Sequence, residues 1–216
     1  MSAFKPILLL TVLLISLNGC AGDSGEDTFS GCEAVAAETD YSILFIGNSL
    51  TFTNNLPELV TSKASEMEIT LATKMIAYPN YALEDHWNDG DIQQLIACGI
   101  YDFVIIQQGP SSQAEGRASL LEYGGKIAEL CNANGAELAF FMVWPALANY
   151  NTFPGVIANY TDAAEATSAI LCPVGRVWKE YFDKTSDYSY YGPDNFHPSR
   201  EGSLVAAEVI LASLLN

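Results

Sequence analysis

The sequence predicts an α/β fold built on a parallel β-sheet, and three observations carry that expectation. From Tyr41 onward, short β-rich runs alternate with longer stretches whose apolar residues recur every three or four positions, as in strands joined by crossover helices. Two of the short runs, Ser42-Ile43-Leu44-Phe45-Ile46 and Phe103-Val104-Ile105-Ile106, are almost wholly apolar, as central parallel strands covered on both faces must be. With 216 residues, 50% of them hydrophobic, the chain can bury one sizeable core but hardly two.

Taken in order, residues 1–19 read as an export signal. Lys5 supplies a positive start, Ile7 to Leu17 form an apolar run, and small residues follow. The run is too short and badly flanked to span a membrane as a mature helix. Leu17-Asn18-Gly19-Cys20 resembles the lipobox of bacterial lipoproteins, which implies that Cys20 becomes the lipidated first residue and supplies the only membrane contact. Ala21 after it resembles lipoproteins sent to the outer membrane. Residues 20–39 are rich in Gly, Ser, Thr and acids, suiting a flexible spacer before a domain over 40–216.

Within that domain the strand candidates are Ser42–Gly47, Ile69–Ile76, Asp102–Gln107, Glu137–Trp144 and a short one near Pro173–Val177. Helices are expected at about 55–67, 90–98, 115–133, 155–171, 176–184 and 199–215; the last carries Leu204, Ala207, Leu211 and Leu214 on one stripe. Ligands of open parallel sheets sit beyond the carboxyl ends of the strands, where strand order reverses. The loops after Gly47, Ile76, Gln107 and Trp144, and the one before the final helix, are therefore where chemistry is sought.

Charge and motifs narrow the function. Twenty-six acidic residues face nine basic ones, a net charge of −17, and such a field repels nucleic acid. No G-x-x-x-x-G-K-[ST] and no post-strand G-x-G-x-x-G is present, which sets nucleotide binding aside. Besides Cys20, the cysteines are Cys32, Cys98, Cys131 and Cys172. Their spacings fit no zinc pattern; buried thiols at the last three, with at most one bridge, are expected. No metal or cofactor is called for.

Gly47-Asn48-Ser49-Leu50-Thr51 places a serine directly after a buried strand and ahead of a helix, with backbone N–H groups close by for an oxyanion. The same residues also make a good turn and helix cap, so the serine needs a base to have meaning. Only two histidines exist. His197 stands in Tyr191-Gly192-Pro193-Asp194-Asn195-Phe196-His197-Pro198-Ser199, where Asp194, three residues upstream, can bond one imidazole nitrogen and leave the other facing a nucleophile.

With these blocks at its two ends, the domain resembles the SGNH hydrolase superfamily, also called GDSL esterases. Ile43 to Thr51 is similar to the nucleophile block, and Asp194-Asn195-Phe196-His197-Pro198 to the Asp-x-x-His-Pro block. The resemblance implies a three-layer α/β/α flavodoxin-like sandwich with about five parallel strands, a Ser49 nucleophile, a His197 base and an Asp194 orienter, without a metal. It also implies an oxyanion hole made of the nucleophile's N–H, a glycine N–H after the second strand and an asparagine amide after the third. Here Asn80 replaces the glycine, in Ala77-Tyr78-Pro79-Asn80-Tyr81-Ala82-Leu83-Glu84-Asp85-His86-Trp87, and still has a backbone N–H to donate. Gln107 takes the asparagine's place, with Gln108 and Ser111 as competitors.

Gln108, His86 and Trp144 are candidates for the substrate cleft, although a lone histidine before a tryptophan, as His86 is, is more often a satisfied structural residue. Tyr150 and Phe153, or Tyr188, Tyr190 and Tyr191, offer an aromatic wall for a sugar or acyl group, or ordinary packing. The substrate expected is an ester, acylated carbohydrate ahead of lipid esters or thioesters. A non-catalytic glycan-binding lipoprotein on the same fold is the reading from outside the enzymes.

Overall fold

Tyr41–Gly47 forms β1, and every residue after Tyr41 is buried, so the strand is covered on both faces. The computed structural model describes Cys32 and residues 39–215; the expected signal, the lipidated Cys20 and most of the spacer lie outside the described residues. After β1 come α1 (Ser49–Phe52), a bend through left-handed Asn54 and Asn55, and α2 (Leu56–Ser65). Then follow β2 (Leu71–Ala77), α3 (Leu83–Asp89), α4 (Asp91–Ala97), β3 (Phe103–Ile106), α5 (Ala114–Asn134) and β4 (Glu137–Phe141). The chain ends with α6 (Phe153–Thr167), β5 (Ile170–Cys172), α7 (Val174–Thr185) and α8 (Arg200–Leu214).

The five strands are all parallel in the order β2-β1-β3-β4-β5, the doubly wound order whose switch point lies between β1 and β3. Among the helices, α2 packs on α8 and α5 packs on α3, α4 and α6, while α7 meets both α6 and α8. The α/β sandwich expected from the sequence is therefore the fold observed. No helix of the described residues is long and apolar enough to cross a membrane.

Two elements differ from expectation. The fifth strand is Ile170–Cys172, not Pro173–Val177. Ser168 adopts a left-handed backbone (φ 54°) that ends α6 early, and Pro173, lacking an N–H, serves as the N-cap of α7. The stretch before residue 90, taken for loop, holds α3. The Asp85 carboxylate accepts the Ala82 N–H at 2.8 Å to start it, and Gly90 (φ 87°) breaks it from α4.

Cys98 is not a buried thiol either: it pairs with Cys32 in a disulfide spanning 66 positions. Cys131 and Cys172 are buried free thiols, and burial pushes both up to about 12, where they carry no reactive thiolate.

Candidate active site

The Ser49 loop is shaped by what Gly47 leaves out. A Cβ there would lie 2.3 Å from Thr51 Oγ1 and 2.5 Å from Gln107 Oε1, so only glycine lets the end of β1 pass this close to β3. Asn48 then caps α1, its Oδ1 accepting the Leu50 N–H at 3.1 Å, while its Nδ2 donates to Tyr81 O at 2.9 Å. Ser49 is thereby held as the first residue of a short helix, where backbone N–H groups have no partner within the helix.

Across the carboxyl end of the sheet, the loop before α8 is pinned at both ends. Tyr191 and Pro198 form a bridge, Gly192 N donates to His197 O at 2.7 Å, and Asn54 Nδ2 donates to Pro198 O at 3.1 Å. Asp194 Oδ1 accepts the N–H groups of Phe196 and His197 at 3.0 and 2.9 Å. That turn leaves Oδ2 against His197 Nδ1 at 2.5 Å, and His197 Nε2 lies 2.9 Å from Ser49 Oγ.

The proton positions follow from the partners. An ionised carboxylate only accepts, so the imidazole proton sits on Nδ1 and the Nε2 lone pair faces the Ser49 hydroxyl. The hydrogen bond from His197 is the main reason that the Asp194 carboxyl is held below its ordinary 3.8. Both side chains are partly open to water, at 37% for His197 and 52% for Asp194. Ser49, His197 and Asp194 are thus brought together from opposite ends of the domain, in contact and in the order that nucleophilic catalysis needs.

A cleft of ≈ 440 Å³ opens beside Ser49, walled on one side by Asn80, Tyr81 and Ala82 and on the other by Gln108, Gly109 and Pro110. Asn80 is left-handed (φ 63°), and among the described residues no acceptor takes its backbone N–H or that of Ser49. Gln108 also reaches the cleft, but both protons of its amide are committed, to Ser111 Oγ at 2.7 Å and Gly116 O at 3.2 Å.

Gln107, by contrast, is 1% exposed and does not line the cleft. Its Oε1 accepts the Asn48 N–H at 2.9 Å and the Thr51 hydroxyl at 2.8 Å, and its Nε2 donates to Gln108 O at 2.6 Å. Because a backbone N–H can only donate, this pairing fixes which way the amide faces. The structure gives Gln107 to the anchoring of the Ser49 loop, with one amide proton uncommitted.

His86 and Trp144 do not line the cleft. His86 is buried, with Nε2 2.7 Å from Gly47 O. Trp144 is buried and stacked on Trp178 at 3.5 Å, and its Nε1–H donates to Phe196 O at 2.9 Å, buttressing the His197 loop from behind. Phe153, Tyr190 and Tyr191 are likewise buried, packed around Trp178 and Phe182, so of the two readings offered for these aromatics, packing is the one these three follow. The aromatic residues that do line the cleft are Tyr81 and Phe196, which sequence reasoning did not single out. Their adjacency to Asn80 and His197 was the available signal. No group of His, Cys, Asp and Glu among the described residues is arranged to hold a metal ion.

Similarity to known proteins rests on structure. The chain is similar to a protein from Slackia heliotrinireducens assigned to the SGNH hydrolases, with 23% identity and a TM-score of 0.66 over 81% of this chain and 98% of that one. The chain has the SGNH hydrolase fold. A lipase/acylhydrolase from Enterococcus faecalis shares this fold at 14% identity and a TM-score of 0.66, over 81% of this chain and 95% of that one. An acetylxylan esterase from Geobacillus stearothermophilus does so at 15% and 0.60, over 82% and 95%. No protein-family model matches the sequence, and no curated protein matches it.

Proposed function

We propose that this protein is a serine esterase of the SGNH type that removes small acyl groups, foremost acetyl, from carbohydrate. The observation that carries the reading is the hydrogen-bonded run from Ser49 Oγ through the His197 imidazole to Asp194. Ser49 Oγ bonds to the ester carbonyl carbon as its proton passes to His197 Nε2, and Asp194 steadies the imidazolium. The carbonyl oxygen becomes an oxyanion within reach of the uncommitted N–H groups of Ser49 and Asn80. Collapse breaks the bond to the leaving alcohol, which takes the proton from His197. Water then attacks the acyl-enzyme by the same path, its proton going to His197, and releases the acid and Ser49.

The cleft supports a small acyl group and a polar alcohol. Its lining is dominated by short or polar residues, Asn48, Asn80, Gln108, Ser111 and Ser119 among them, and its volume lies within the ordinary range for small-ligand sites. Tyr81 and Phe196 add ring faces suited to a sugar, with Tyr78, 41% exposed, packed against Tyr81 at 4.9 Å. The same fold serves an acetylxylan esterase, which agrees with this reading. Comparing acetate release from acetylated xylan with hydrolysis of p-nitrophenyl acetate and p-nitrophenyl decanoate tests it. Preference for acetyl over decanoyl esters is expected; faster decanoate turnover would move the substrate to lipids.

Export with a lipid on Cys20 belongs to the same proposal. Supporting it, the Cys32–Cys98 disulfide suits an oxidising compartment outside the cytoplasm. Incorporation of labelled palmitate into the wild type and not into Cys20→Ala is expected. Equal labelling of the two would remove the anchor.

A further inference from the structure

His86 is a buried imidazole that the triad does not use, and its environment is costly. It lies on α3 with its Nε2 2.7 Å from Gly47 O. A carbonyl only accepts, so Nε2 carries the proton; burial lowers the imidazole's ordinary value, keeping the ring neutral at neutral pH. Nδ1 is then a lone pair, buried with no hydrogen-bond partner among the described residues. An apolar side chain would fill the same space without leaving a buried acceptor unpaired, so the geometry asks what the Nε2–H achieves.

Gly47 O is the last carbonyl of β1, two residues before Ser49, and it also accepts the Tyr78 N–H at 3.2 Å. Tyr78 opens the loop that carries Asn80. The two loops are joined a second time where Asn48 Nδ2 donates to Tyr81 O. His86, packed against the rings of both Tyr78 and Tyr81, stands behind this junction. We infer that His86 is a positioning residue: by gripping the Gly47 carbonyl it fixes the spacing between the backbone N–H groups of Ser49 and Asn80 that receive the oxyanion. The inference rests on the esterase reading.

Two substitutions of similar polarity separate the donor from the bulk. A glutamine Nε2 can reach where the imidazole Nε2 reaches, whereas an asparagine Nδ2 reaches only as far as Nδ1. We therefore expect His86→Gln to keep kcat on p-nitrophenyl acetate within a few-fold of wild type. His86→Asn is expected to lose about 10–100-fold in kcat with KM little changed, the scale set by a misplacement of about 1 Å. Thermal melts and circular dichroism establish that both variants are folded, and rates are expressed per folded enzyme. Equal kcat in the two folded variants, or a loss confined to KM or to melting temperature, overturns the positioning role. Failure of either variant to fold transfers the comparison to His86→Leu at low temperature, where a wild-type kcat would also overturn it. Ser49→Ala, run alongside, tests the underlying reading: a wild type no faster than Ser49→Ala defeats both, whereas a Ser49-dependent wild type leaves only the role of His86 at stake.

Discussion

Replacing Gln107 with leucine is the sharpest test of how the Ser49 loop is held. The side chain is buried, and its Oε1 takes two donors, the Asn48 N–H and the Thr51 hydroxyl. The backbone N–H cannot turn elsewhere, so it is orphaned at a cost of about 1–3 kcal/mol. The hydroxyl can rotate, which makes its loss the smaller one. Gln108 O, the third partner, keeps a bond from the Tyr160 hydroxyl at 2.7 Å and loses little. Added apolar burial offsets roughly the hydroxyl's smaller loss, leaving a destabilisation of about 1–3 kcal/mol out of a total of about 5–15 kcal/mol. Urea denaturation of wild type and Gln107→Leu measures it, and esterase assays in the native baseline should show kcat falling further than the folded fraction explains. A change below about 0.5 kcal/mol with kcat intact would mean that Gln107 is a surface-like substitution site and that the loop is held by other contacts.

Other consequences can be checked separately. The Cys32–Cys98 disulfide closes a long loop, so reducing it or making Cys98→Ala should cost up to about 4 kcal/mol of stability, read from denaturation with and without reductant. The Asp194 carboxyl should titrate below 3.8 by carbon NMR and move up towards that value in His197→Ala, since its main stabilising contact is lost. Because its folded value is depressed, its contribution to stability is present above 3.8 and lost as pH falls through the folded value; solvent exposure keeps that contribution small. Gly47→Ala, whose new methyl would meet Thr51 Oγ1 and Gln107 Oε1, should cost about 1–3 kcal/mol and most of the activity.

What was legible in the sequence was what is local. Ser49 comes just after the apolar run Ile43-Leu44-Phe45-Ile46, and Asp194 and His197 sit three apart, so each half of the site declares itself within a single loop. The scarcity of histidine did the rest. The parallel sheet, with the two apolar runs as inner strands, followed from short apolar strands separated by crossover helices. What could not be read depended on partners far along the chain. Gln107 and Gln108 are neighbours, and only the donors from Asn48 and Thr51 turn the first inward while the second reaches the cleft. Trp144 looks like a cleft aromatic until Trp178 arrives to stack on it. The pairing of Cys98 with Cys32 had no local signature, and α3 carries only Leu83 and Trp87 as apolar residues, too few to show the helical period that Ile92, Leu95 and Ile96 give α4.

If Ser49 is a nucleophile activated by His197, ester hydrolysis requires both side chains. The most direct measurement is acetate release from p-nitrophenyl acetate and acetylated xylan by the wild type, Ser49→Ala and His197→Ala, each shown to be folded. Activity in the wild type that disappears in both variants is the predicted result. A folded wild type inert on these and on longer esters, or a Ser49→Ala variant as active as the wild type, would contradict the account and leave a protein that binds glycans on an esterase fold.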